Sequence, residues 1–229
     1  LTLNIGDSSI DLTTVVTLSN LDHLSVTTDG ANAVTLGALT VGDGAGATPV
    51  GTGIEISTGT LNLNGALAAD GDGSTAAGSV AITGSVSLGG VSSIDTDAAT
   101  DANITITGTV DGNADLTLTA DGGNVTVSGA VGGTTPLASF AVASGADVSL
   151  QGVRTQGGGG SNTIDLGSIA ALTGTVTLNG DLDTTGAGAG TATGNIRINS
   201  TNVVALEAAG GGSAGTITLQ TDEGGGGAD

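Results

Sequence analysis

The chain contains no cysteine, methionine, tryptophan or tyrosine, no lysine, and a single phenylalanine, Phe140. Each absence excludes something. Without Cys there are no disulfides, which suits a protein exported without thiol chemistry. Without aromatics, a compact core loses the side chains that normally supply much of its buried area. What remains is Leu, Ile, Val and Ala, which suit a narrow core one layer thick. Arg154 and Arg197 are the only cations against 22 acidic residues, a formal net charge of −20. Nucleic-acid affinity comes largely from Lys and Arg neutralising phosphates, so nucleic acid is excluded as a partner. Solubility and attraction for cations are the expected consequences. No apolar run approaches the roughly 20 residues of a membrane span, so no membrane insertion is expected. The sequence starts inside a strand-like LTLNI, shows no signal peptide and stops at GGGGAD. It reads as a piece of a longer chain or fibre.

What the chain has in abundance is one returning phrase: apolar, small polar, apolar, polar, Gly, any residue, apolar. It reads LNLNGAL at 61–67, VAITGSV at 80–86, ITITGTV at 104–110, VTVSGAV at 125–131 and VTLNGDL at 176–182. Altered copies begin at 34, 148, 196 and 217. A period of twenty-odd residues marks a stacked repeat. Leu, Ile, Val and Phe make up about 24% of the chain, above the roughly 20% below which a charged sequence is expected to stay disordered.

Apolar and polar residues alternate within each phrase, as in Ile104 and Ile106 against Thr105 and Thr107. That period of two is a half-buried strand. The fifth position is Gly in six copies, from Gly65 to Gly180, as a bend with positive φ or a close backbone approach requires. Further strand-like runs separated by Gly, Asp and Asn corners lie between the phrases. The layout predicts an all-β parallel β-solenoid with coils of about 20–24 residues, one repetitive segment over 1–229. An array of β-sandwich modules is the alternative, although such modules repeat nearer 100 residues. In the solenoid, Ile104, Ile106, Val125, Val127, Val176, Leu178, Ile196 and Ile198 should line one buried wall, with Thr105, Thr126, Thr177 and Arg197 outside.

No catalytic constellation is legible, and the chain is read as a non-enzyme. His23 stands without a Ser or Cys partner set and reads as a surface or corner residue. Asp95, Asp97 and Asp101 are acidic loop residues. They lack the basic and aromatic companions that would hold a sugar for a polysaccharide-acting β-helix enzyme. Calcium is the one candidate ligand ion, and no cofactor is required. Asp70 and Asp72 offer hard oxygen at alternating positions of a Gly-rich turn. Asn162 stands in a GGGGSNTID run with the spacing of a calcium-binding nonapeptide, where Asp is expected. Thr105/Thr107 and Thr117/Thr119, stacked coil on coil, would make an ice-binding Thr array if they shared one face. The sequons at Asn103, Asn124 and Asn199 are incidental to Thr-rich strands.

The run GNVTVSGAVGGTTPLASFAV at 123–142 resembles the repeats of large secreted bacterial surface proteins, the filamentous-haemagglutinin-like adhesins and autotransporter passengers. The resemblance implies a right-handed parallel β-helix on a bacterial cell surface or in extracellular fibres. The expected role is a structural repeat: an adhesin shaft, or a filament or sheath subunit. Its expected partners are other copies of itself or flanking repeats, joined head-to-tail by strand pairing. Cation bridging or a cell-surface glycan would be secondary contacts. The alternative is a glycan- or protein-binding module with specificity in loops 42–53, 69–79, 95–103 and 184–194.

Overall fold

Strand residues that alternate apolar and polar have one face to bury, and a short strand buries it only against further strands. The computed structural model describes residues 1–14, 16–19, 21, 23–42, 52–70, 78–96, 102–156, 162–185, 194–206 and 219–220. Among them there are strands and no helix, and every strand pair is parallel. The chain is a parallel β-solenoid, a β-helix with three walls. Antiparallel sandwich modules are thereby excluded.

The first wall stacks Thr2–Gly6, Leu24–Thr28, the first half of Thr52–Leu63 and the first half of Ser79–Leu88. Above these lie Ile104–Ile106, Val125–Val127, Val148–Leu150, Val176–Leu178 and Val204–Leu206. The second wall stacks Ile10–Leu12, Ala33–Leu36, the second halves of the same two long strands, and Val110–Asp111. A single bridging residue, Val131, carries it on to Val153–Arg154, Leu182–Asp183 and Leu219–Gln220. The third wall is an eight-stranded sheet, running from Val16–Ser19 through Asp115–Thr119 and Ser139–Ser144 to Asn195–Ile198. At ordinary strand spacing, the nine rungs of the first wall span on the order of 40 Å.

The core is a set of columns. Leu24, Ile54, Val80, Ile104, Val125, Val148 and Val176 are register partners, as are Val26, Ile56, Ile82, Ile106, Val127, Leu150 and Leu178. All fourteen are at most 1% exposed. Phe140, fully buried on the third wall, pairs with Leu116 below and Ile164 above. Most of the other large aliphatics are buried in the same way, with Val91, Ile169 and the end residues Leu1, Val203, Val204 and Leu206 exposed, so the aromatic-poor composition goes with a narrow aliphatic core.

The phrases do not all share one column. Those starting at 80, 104, 125, 148 and 176 form one first-wall ladder. Val34 and Leu61 pair with each other on the second wall, where Leu219 also lies, opposite Leu182. Ile196 pairs with Ile164 on the third wall. Ile196 and Ile198 are therefore not in the column of Val176 and Leu178, and both are only half-buried. The other six core assignments hold, with Thr105, Thr126 and Thr177 pointing the opposite way and half-exposed. First-wall partners stand at 24, 54, 80, 104, 125, 148, 176 and 204, so these coils run from 21 to 30 residues. An alternating phrase fits any wall, because every wall needs the same period of two.

In the first-wall phrases the glycine marks the corner between first and second walls, whereas Gly65 lies between the second wall and the third-wall strand Ala66–Asp70. A Cβ on Gly108 would come within 2.2 Å of the Gly84 carbonyl oxygen, and one on Gly129 within 2.4 Å of the Gly108 carbonyl oxygen. Stacked corner backbones approach too closely for any side chain, and only Gly84 in this stack has positive φ, at 127°. Close approach, more than backbone conformation, fixes the repeat of Gly here.

Candidate functional site

Side chains that repeat coil after coil first satisfy the solenoid itself. The residues preceding the first-wall phrases at 104, 125 and 148 form a ladder of side-chain oxygens. Asn103 Oδ1 accepts from Asn124 N–H (2.8 Å), Asn124 Oδ1 from Asp147 N–H (3.0 Å), and Asp147 Oδ1 from Thr175 N–H (2.8 Å). Each Asx side chain serves the backbone of the next coil at a corner where no strand bond exists. The Asn103 and Asn124 sequons are thus structural parts of the corner. Buried Thr pairs do similar work: Thr28 donates to Thr58 (2.8 Å) and Thr155 to Thr163 (3.0 Å).

Both arginines reach a carboxylate one coil away. Arg154 Nε lies 3.3 Å from Asp183 Oδ2. Arg197 holds Asp165 through two bonds of 2.6 and 2.9 Å and also donates to the Ser168 carbonyl (3.1 Å). The hydrogen bond to Asp165 raises the Arg197 pKa above its ordinary value. Each pair occupies register-partner positions, a relationship that no spacing of phrases revealed. His23 Nε2 lies 3.9 Å from Glu55 Oε2, both well exposed, and the His23 carbonyl accepts from the Leu1 amine.

The calcium candidates are separated. Asp70 ends the strand Ala66–Asp70, and Asn162 opens Asn162–Leu166, four rungs further along the third wall. Four rungs are on the order of 19 Å, too far to share an ion. Asp72 lies outside the described residues. Among the described residues no group of three or more His, Cys, Asp or Glu converges. Asp95 ends the third-wall strand Ser92–Asp95 and is half-buried, whereas Asp97 and Asp101 lie outside the described residues. Most of each candidate specificity loop, at 43–51, 71–77, 97–101 and 186–193, also lies outside them.

The Thr pairs proposed for one regular array are on different walls. Thr105 belongs to the first wall, and Thr117 and Thr119 to the third. The outward column of the first wall reads Ser25, Glu55, Ala81, Thr105, Thr126, Ser149, Thr177 and Ala205. It is a mixed column, not a Thr file.

Two concavities are lined by described residues. One, of about 90 Å³, is wholly apolar and lies at the first coil, lined by Leu1, Leu3, Leu12, Leu18, Leu24 and Leu39. The other, of about 210 Å³, opens on the second wall beside Arg154, Asp181 and Asp183. No helix among the described residues is long and apolar enough to cross a membrane. No protein-family model matches the chain, and no curated protein and no solved structure matches it significantly.

Proposed function

We propose that the chain is a structural repeat: a length of shaft in a secreted bacterial surface adhesin, or a subunit of an extracellular filament or sheath. Its partners are flanking coils or further copies of itself, joined head-to-tail by strand pairing. The observation that carries this reading is the exposed interior at both described ends. Among the described residues Thr2–Gly6 bonds only to Leu24–Thr28, and Val204–Leu206 only to Val176–Leu178. The Leu-lined concavity sits at one end. At the other, Val204 and Leu206 are 41% and 55% exposed, while their register partners Val176 and Leu178 are fully buried.

Such edges carry unpaired N–H and C=O groups and recruit further strands unless shielded. The two ends of a parallel coil stack differ, so joining one to the other is heterologous and propagates a rod. The net charge of −20 keeps rods apart sideways unless cations bridge them. Electron microscopy and small-angle scattering of the native material, with and without a calcium chelator, test the reading. Rods or fibres whose length survives chelation and whose bundling does not are the expected result. Globular monomers with both ends covered by their own segments would overturn it.

A further inference from the structure

The second wall thins midway along the solenoid. Val110–Asp111, Val153–Arg154 and Leu182–Asp183 are two-residue strands, and Val131 is a lone bridge between the first two. The 210 Å³ concavity lies here, bordered by Ala130, Gly133, Gly152, Arg154, Asp181 and Asp183. From these features we infer that the notch is a binding site for one neutral sugar ring of a glycan, a role separate from the shaft.

Gly152 shapes the floor of the notch. In the phrase glycines at 84, 108, 129 and 180, an added Cβ would meet backbone atoms at 1.9–2.6 Å. At Gly152 the nearest atom, the Asp181 carbonyl oxygen, is 3.5 Å away, an ordinary contact, and φ is not positive. Packing does not require glycine at this coil. Its absent side chain leaves the notch open.

Polar groups of both signs border the notch. Arg154 pairs through Nε with Asp183 (3.3 Å), and its side chain is 44% exposed, on the lining of the notch. Asp183 is itself fixed, its Oδ1 accepting from Thr185 N–H (2.7 Å) and from the Thr185 hydroxyl (2.6 Å). Asp181 stands exposed at the rim. A guanidinium beside carboxylates offers donors next to acceptors, both planar and held in place, which matches the adjacent hydroxyls of a sugar.

Charge and size narrow the class. Two carboxylates against one guanidinium, on a chain of net charge −20, disfavour an anion. The guanidinium disfavours a metal ion. The volume is below the roughly 300–1,000 Å³ of drug-sized sites, room for a single ring. With no Trp or Tyr in the chain to stack on it, the sugar binds weakly and gains strength through repetition along a fibre.

Saturation-transfer NMR of the intact chain with neutral methyl glycosides of glucose, galactose, mannose and N-acetylglucosamine tests the site. At least one should receive saturation. Binding should fall by about tenfold or more both in Gly152→Leu, which fills the notch, and in Arg154→Ala, which removes its donors. Arg197→Ala, remote from the notch, should bind as the parent does, and circular dichroism should show the fold intact in all three. The inference is overturned if no neutral glycoside binds, if either notch variant binds undiminished while folded, or if methyl glucuronide binds more tightly than methyl glucoside.

Discussion

Arg197 reaches back one coil to Asp165, with Nε 2.6 Å from Oδ1 and Nη2 2.9 Å from Oδ2. The two residues are 32 apart in sequence and direct register partners on the third wall. A two-bond pair of this kind fixes orientation as well as proximity. It ties Asn195–Ile198, the last described strand of that wall, to the body of the solenoid. Arg197→Ala should speed amide hydrogen exchange at Ile196 and Ile198 and leave Ile104 and Ile106 unchanged. Because the pair raises the Arg197 pKa, the arginine's side of this contribution is complete at neutral pH and is lost as the pH rises into the strongly alkaline range. Uniform exchange across both regions would show that the pair does not anchor that strand.

Ile106 is fully buried in a column between Ile82 and Val127. Ile106→Asp places a carboxylate there with no cation to meet it, at a cost of several kcal/mol. Ile106→Val removes one methylene and should cost about 0.5–1.5 kcal/mol. Denaturant unfolding of both variants measures the difference, and equal midpoints would contradict the register.

Corner glycines give a contrast within one chain. Gly108→Ala forces a Cβ against the Gly84 carbonyl oxygen and should destabilise by about 1–3 kcal/mol. Gly90→Ala meets nothing within 4 Å and should change stability by no more than about 0.5 kcal/mol. Thermal unfolding of the two variants tests this, and similar losses would refute the stacked-corner account.

Trypsin has only Arg154 and Arg197 at which to cut. Both lie in parallel strands and both face a carboxylate of a neighbouring coil. Cleavage requires local opening of those rungs, so the folded chain should survive prolonged digestion. Prompt cutting at both sites, followed by mass spectrometry, would mean the rungs open freely.

Asn124 spans two coils, accepting from Asp147 N–H while its own N–H donates to Asn103 Oδ1. Asn124→Ala should cost about 0.5–1.5 kcal/mol, the worth of one exposed-edge bond, and Asn124→Asp should recover most of it. If Asp and Ala behave alike in chemical unfolding, the carbonyl ladder carries no stability.

The sequence by itself determined the kind of structure. Alternation such as Ile104-Thr105-Ile106 specifies strands with one face to bury, and recurrence every twenty-odd residues specifies stacking. The near absence of aromatics matches a core filled by one residue per wall position. The corner glycines were also legible, since a recurring Gly after a polar residue has few other uses. What the sequence did not determine was which wall each phrase occupies. All three walls require the same alternation, so the phrase at 61 and the phrase at 80 look alike although they lie on different walls. Cross-coil partners were hidden for the same reason. Arg154 with Asp183, Arg197 with Asp165, and Asn103 with Asn124 and Asp147 meet only once coil lengths of 21 to 30 residues set the register. The notch beside Gly152 is likewise a product of tertiary structure. It exists because the second wall narrows there to two-residue strands, a local loss of pairing that leaves no mark in composition or periodicity.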